Sequence, residues 1–259
     1  MHLPLSAAAA SHLIVLDEIG STNTELVARV VAGGVEDFTV LVTANQTAGR
    51  GRLDREWSAP AGTSLAVSVF VAPSPASASQ LGWMPLLAGL AMARAVASVT
   101  PQATVALKWP NDVLIDGRKV AGLLCEVVPR GLGVVIGAGL NVTMTPEQLP
   151  VPAATSLVIE GASPDALHDR ALSAYLAELR GELAGFARSG FDPGAGLRTA
   201  VASGCSTIGR SVRVQLPGGR DLFGTAVDID NSGRLVVKDL AGSALTHVAA
   251  GDVTHLRYE

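Results

Sequence analysis

Between Gln46 and Trp57 the chain places three arginines, Arg50, Arg52 and Arg55, and two glycines, Gly49 and Gly51. Arginine offers a planar fork of donors that matches phosphate or carboxylate oxygens. Glycine lets the backbone approach a ligand and turn through positive φ. The run Gln46-Thr47-Ala48-Gly49-Arg50-Gly51-Arg52-Leu53-Asp54-Arg55-Glu56-Trp57 therefore reads as a loop built to hold an anion, and Trp57 adds a flat face for a purine or an apolar ligand. Lys108, in Lys108-Trp109-Pro110-Asn111-Asp112, adds a point cation. A lone lysine is usually a solvated surface charge. Between Ala106-Leu107 and Trp109-Pro110, its stem is expected to be partly buried and its ammonium held in place, which suits an anionic reacting centre.

Two neutral motifs complete the set. Ser21-Thr22-Asn23 is an ordinary helix cap, or its hydroxyls, amide and free N–H groups surround a small polar head group. Gly137-Ala138-Gly139-Leu140-Asn141 puts small residues into a strand. Such glycines mark a bulge or close packing, and they also make a wall against a flat ligand, with Asn141 as donor or acceptor.

Composition narrows the chemistry. A net charge of −4 over 259 residues argues against nucleic acid as the main partner, so any cationic site is local. With 48% hydrophobic and 16% charged residues the chain is a folded protein. Cys125 and Cys205 belong to no metal or redox spacing and read as reduced thiols of a cytoplasmic protein. His2, His12, His168, His247 and His255 form no HExxH-like pair, and a tightly held transition metal is not expected. No GxxxxGK[ST] is present, which disfavours a P-loop ATPase. The N-terminus lacks a positive n-region, and the apolar stretch 81–99, interrupted by Pro85 and Arg94, suits a buried helix rather than a membrane span.

The elements that must position these residues follow from patterning. Strands are expected at 13–16, 38–43, 63–71 and 104–107, then an antiparallel meander of 113–116, the Gly117 turn, 119–128 and 134–142. A helix begins at 21–25, with Thr22 and Glu25 at capping-box spacing, and ends at Gly33-Gly34. Further helices are expected at 81–99, 164–188 and 197–202. Five short strands, 212–216, 222–228, 235–239, 244–249 and 253–257, predict a small barrel. A boundary near Gly209 divides the chain into 1–208 and 209–259.

In this order, Ser-Thr-Asn before a helix, Q-x-x-GRGR-x5-W, KWPND, K-x-AG-x-L-x-E at 119–126 and GAGLN resemble the biotin-protein ligases. The match runs over 13–141, and 211–258 more weakly resembles that family's C-terminal SH3-like barrel. The resemblance implies an α+β catalytic core related to class II aminoacyl-tRNA synthetases, with helices packed on a mixed, mostly antiparallel sheet. It implies a two-step reaction: biotin and ATP, with Mg²⁺, give biotinyl-5'-AMP, and a lysine of a biotin carboxyl carrier domain then takes the biotin. Carried over by motif position, Lys108 and Arg52 are the catalytic cations. Ser21, Thr22, Asn23, Gln46 and the Gly122 backbone bind biotin, and Gly49, Arg50, Gly51, Arg55, Trp57, Gly139 and Asn141 complete the biotin and nucleotide set, Asn141 against adenine. Ser-Thr-Asn begins at residue 21, so the winged-helix DNA-binding domain of bifunctional members, and with it sequence-specific DNA binding, is not expected. A monomer or a homodimer fits the fold, and no membrane partner is implied. Lipoate-protein ligase, which shares the fold, and a non-enzymatic biotin or nucleotide sensor are the competing readings.

Overall fold

The computed structural model describes residues 1–52, 55–74, 77–216, 219–240 and 244–256; Leu53 and Asp54 of the arginine loop and Arg257, at the end of the last expected strand, lie outside them. Helix α1 (Pro4–Ala9) leads to β1 (His12–Leu16), α2 (Thr22–Ala32), β2 (Thr39–Thr43), the ribbon β3 (Gly49–Arg50) and β4 (Glu56–Trp57), and β5 (Ser64–Val71). A short α3 (Ala78–Leu81) and the long α4 (Met84–Val99) precede the meander β6 (Val105–Lys108), β7 (Asp112–Ile115), β8 (Arg118–Val128) and β9 (Gly133–Asn141). Helices α5 (Leu167–Arg188) and α6 (Gly194–Gly204) follow. The chain then forms β10 (Ser211–Gln215), β11 (Asp221–Ile229), β12 (Leu235–Asp239), β13 (Leu245–Val248) and β14 (Asp252–His255).

The main sheet runs β1-β2-β5-β9-β8-β7-β6. Only β1 and β2 pair in parallel; the other neighbours are antiparallel. This is the mixed, antiparallel-rich α+β architecture expected from the sequence. Strand alternation decides what each face carries. Val67, Val69, Leu123, Ile136, Ala138 and Leu140 join α4 and α5 in one large core. That explains why 84–99 is so apolar: it lies between the sheet and α5, and twelve of its residues are buried. On the opposite face α2 sits over Leu41, Phe70, Val128 and Val135 through Leu26 and Val30. The rest of that face is left for the site.

The second sheet runs β13-β12-β11-β10-β14, antiparallel throughout. Two buried indoles tie the main body to its β11–β12 turn. Trp83 Nε1 donates to the Asn231 carbonyl at 2.9 Å, and Trp109 Nε1 to the Gly233 carbonyl at 3.0 Å.

At the start of α2 the sequence expectation needs correction. The N-cap is Ser21, with extended backbone and its Oγ accepting from the Thr24 N–H, whereas Thr22 is already helical. Glu25 pairs with Arg29 at 2.7 Å instead of closing a capping box on Thr22. The one-residue shift matters because it frees the Thr22 hydroxyl for the site.

Asp169 of α5 fixes the N-terminal helix. Its carboxylate accepts from Leu5 N at 2.9 Å, Ser6 N at 2.8 Å and Ser6 Oγ at 2.7 Å. Burial opposes ionisation, but the Ser6 hydroxyl and the two N–H groups outweigh it and hold the pKa below 3.8. A lowered native pKa stabilises the fold above the unfolded value and loses that contribution as pH falls through the native one. Asp169→Ala is therefore expected to cost about 1–3 kcal/mol at neutral pH, because it strands buried donors. Urea unfolding at pH 7 and near pH 3 checks this, with the difference from wild type shrinking at the lower pH.

Candidate active site

The site lies on the α2 face of the main sheet, over β5, β9 and β8. Register places Ala66 opposite Gly139, Ser68 opposite Gly137, Gly122 opposite Gly139, and Leu124 opposite Gly137. The floor is therefore nearly free of side chains, and its neighbours use the space. A methyl on Gly139 would overlap the Trp57 indole, and one on Gly137 would overlap the Asn23 amide. One on Gly122 would meet Lys119 Nζ at 3.1 Å and Trp57 Cζ3 at 3.4 Å. Gly122 and Gly139 thus leave the space that the Trp57 indole takes against the sheet, and Gly137 leaves the space for the Asn23 amide.

Hydroxyls and amides, hydrogen-bonded to one another, form part of the lining and the layer behind it. Thr22 N and Oγ1 donate to Gln46 Oε1 at 3.0 and 3.2 Å. Ser68 Oγ lies 2.8 Å from Thr22 Oγ1 and 2.6 Å from Asn23 Oδ1. Asn23 Nδ2 donates to the Leu124 carbonyl at 3.0 Å and to Glu126 Oε2 at 2.7 Å. Ser68 went unnoticed in the sequence, although a serine inside the otherwise apolar, fully buried β5 signals a polar partner.

Beside these groups the lining carries four cations, three of them ion-paired. Arg50 Nη2 lies 2.8 Å from both Glu126 carboxylate oxygens. Arg52 Nη1 donates to Asn111 Oδ1 at 3.0 Å and to the Gly251 carbonyl at 3.3 Å. Burial lowers the Arg52 pKa, and Asp112 and Asp252 pull against it. Arg55 is held to Asp252, whose hydrogen bond raises its pKa. Lys119 Nζ is 2.6 Å from Asp112 Oδ1 and 5.8 Å from the Trp57 ring centroid.

Ser21, Thr22, Asn23, Gln46, Arg50, Gly51, Arg52, Arg55, Trp57, Gly122 and Gly139 all line one cavity of about 120 Å³, along with Asn111, Asp112, Lys119 and Asp252. A second cavity of about 570 Å³ adjoins it, sharing Arg52, Asn111, Leu123 and Leu124. Three expected residues are placed elsewhere. Gly49 sits in the β3–β4 ribbon paired with Trp57, where a side chain would overlap Gln46 and the Trp57 carbonyl. Asn141 faces the same way as Gly139, but it is covered by the segment 153–157 and its Nδ2 donates to the Thr155 carbonyl at 2.9 Å. Lys108 is on β6, at the edge of the sheet and two strands from β8, and does not line the cavity. There burial, Lys108 and Arg210 press the His255 pKa down to about 4.

Lys119 takes the position expected of Lys108, for a local reason. Lys119 and Gly122 are three residues apart, a spacing that puts them on opposite faces of a regular strand. The β7–β8 register slips between Val113 and Leu114, so Gly122 pairs with Asp112 while Lys119 pairs with Leu114. The extra residue re-aims the lysine to the cavity side, as bulges beside active sites do.

Known proteins resemble this chain in sequence and fold. The biotin/lipoate A/B protein ligase family matches residues 15–141, and the biotin protein ligase C-terminal domain matches residues 207–256. The chain is 44% identical to the biotin–[acetyl-CoA-carboxylase] ligase of Mycobacterium tuberculosis over 95% of its own length and 89% of that protein's. It is 33% identical to the ligase of the same description from Paracoccus denitrificans, over 86% and 92% of the two lengths. The structure of the Aquifex aeolicus biotin protein ligase in complex with biotin and ATP superposes with a TM-score of 0.77 at 27% identity, covering 96% of this chain and all of that one. With the glycine floor, the neutral pocket and the arginine loop in one cavity, and with relatives alike over nearly its whole length, the chain belongs to the biotin/lipoate A/B protein ligase family, on its biotin protein ligase branch.

Proposed function

We propose that this cavity is where the ligase joins biotin to AMP. Biotin carboxylate attacks the α-phosphate of ATP, forming biotinyl-5'-AMP and releasing pyrophosphate. The ε-amine of a lysine on a biotin carboxyl carrier domain then attacks the mixed anhydride and releases AMP. The observation that carries this reading is the cavity lining, which sets the hydroxyls and amides of Thr22, Asn23 and Gln46 beside the cations Arg50, Arg52, Arg55 and Lys119. A ureido ring has two N–H donors and one carbonyl acceptor, so hydroxyls and amides suit it. A dithiolane offers no such groups, which disfavours lipoate.

When two anions approach, fixed cations lower the barrier because they need not reorganise as charge develops. Lys119 is the cation we assign to the reacting carboxylate and α-phosphate, in place of Lys108. Mg²⁺ is a hard ion that stays largely on phosphates and water; Asp112 and Asn111, whose Oδ1 atoms now meet Lys119 and Arg52, are the oxygen-bearing side chains that would approach it. Among the described residues no three His, Cys, Asp or Glu side chains converge. Bound there, Mg²⁺ would neutralise the triphosphate. The division into a catalytic part, 1–208, and a C-terminal part, 209–259, and a cytoplasmic location remain part of this reading.

Incubation with ATP, Mg²⁺, either biotin or lipoate, and a carrier domain, followed by mass spectrometry of the carrier, tests it. Biotinylation of the carrier is expected. Lipoylation, or an unmodified carrier, would favour the lipoate ligase or the sensor. Arg52→Ala is expected to speed escape of the adenylate about tenfold or more, since it removes a charge-assisted contact. Unchanged dissociation of the intermediate in single-turnover assays would count against that role.

A further inference from the structure

The loop that roofs the cavity is fastened to two separate sheets. Arg50 is held inside the main sheet, by Glu126 on β8. Arg55 Nη2 instead reaches 2.6 Å to Oδ2 of Asp252, the first residue of β14, and Arg52 donates to the carbonyl of Gly251 just before it. The second sheet therefore contributes a carboxylate and a carbonyl to the roof, and Asp252 lines the cavity itself.

This anchor is set firmly. Asp252 pairs with Gln215 of β10 in the sheet register. A methyl on Gly251 would stand 2.8 Å from Val214 Cγ1 and 3.0 Å from the Gln215 carbonyl, so the turn that presents the carbonyl and the carboxylate is seated closely on β10. The two cationic side chains thus bridge from a short loop to a strand about 200 residues later. The cavity beneath, about 120 Å³, adjoins the one of about 570 Å³, and Arg52 stands between them as part of both linings.

Resting on the assignment of this cavity to adenylation, we infer that Asp252 is a positioning residue: acting through Arg55, it holds the arginine loop across the cavity and slows escape of the biotinyl adenylate before a carrier lysine arrives. The carboxylate repels the adenylate phosphate and forms no bond to a reacting atom; its work is done on the loop. Both partners are partly exposed, 57% for Arg55 and 40% for Asp252, so the hold is moderate and weakens with salt.

The test uses the full chain. Labelled biotinyl-5'-AMP is formed on the protein from biotin, ATP and Mg²⁺, and its release is followed after an unlabelled chase; adenylate formation is measured separately by pyrophosphate. Asp252→Asn and Asp252→Ala are expected to release the adenylate about fivefold faster at low salt, a larger change than any in the rate of its formation. Asp252→Glu restores retention. Arg55→Ala shows the same acceleration, the Arg55→Ala/Asp252→Ala double variant is no faster than the faster single one, and the wild-type rate approaches the variants' rates as salt rises. Unchanged release in Asp252→Asn overturns the inference, as do multiplicative effects in the double variant or a loss of adenylate formation without faster release. A wild-type protein that makes no adenylate from biotin would instead overturn the function assigned to the cavity.

Discussion

Lys119→Ala is expected to lower adenylate formation two to three orders of magnitude at saturating biotin and ATP, the usual cost of removing one fixed charge-stabilising donor. Two unit charges about 4 Å apart interact by about 4 kcal/mol at an effective dielectric of about 20, so a carboxylate approaching a phosphate needs a cation already in place. Lys119 supplies one on the cavity side of β8, beside Gly122 and over Trp57. Its removal also leaves Asp112 without its ion-pair partner, adding to the repulsion. The pair is partly exposed and contributes about 1 kcal/mol or less to stability, so the variant should fold. Lys108→Ala, at the edge of the sheet, is expected to stay within about twofold of wild type. Pyrophosphate release with circular dichroism on both variants decides the matter. A folded Lys119→Ala with the normal rate would remove the lysine from this role, and a collapse in Lys108→Ala would return the role to Lys108.

Gly139→Ala is expected to raise the KM for biotin about tenfold to a hundredfold. The added methyl overlaps the Trp57 indole, so either the ring moves into the cavity or β9 shifts. Overpacking of this kind costs about 1–3 kcal/mol, enough to produce that loss if it falls on the bound state. Gly181→Ala is the control: on α5 nothing lies within 4 Å of the added carbon, and alanine favours a helix. Steady-state kinetics with biotin and thermal unfolding of both variants separate the two effects. A biotin KM at the wild-type value in Gly139→Ala would show that the indole does not wall the acid.

Much of the fold was legible because its elements carry strong local patterns. The antiparallel meander, the buried α4 and the five short C-terminal strands all lie within a few residues of expectation. The arginine loop and the Ser-Thr-Asn segment were also legible, since glycine, arginine and capping residues announce themselves over a few positions. What was missed depends on pairing between distant segments. The bulge opposite Val113 and Leu114 has no distinctive residue, so strict alternation assigns Lys119 to the wrong face. Asn141 reads as a free amide until the segment 153–157 covers it. Asp252 joins the site only because β14 pairs with β10, which no motif around residue 252 reveals.

The backbone floor formed by Gly122, Gly137 and Gly139 also bears on how such a site can change over evolutionary time. A surface presented by main chain keeps its shape under most substitutions elsewhere, because its contour is written in strand register rather than in side-chain identity. Drift toward a different acid is thereby confined to the rim, where Gln46 and Trp57 can be exchanged without rebuilding the sheet. Lineages built on this floor are free to vary the head group they accept while inheriting one platform for holding it.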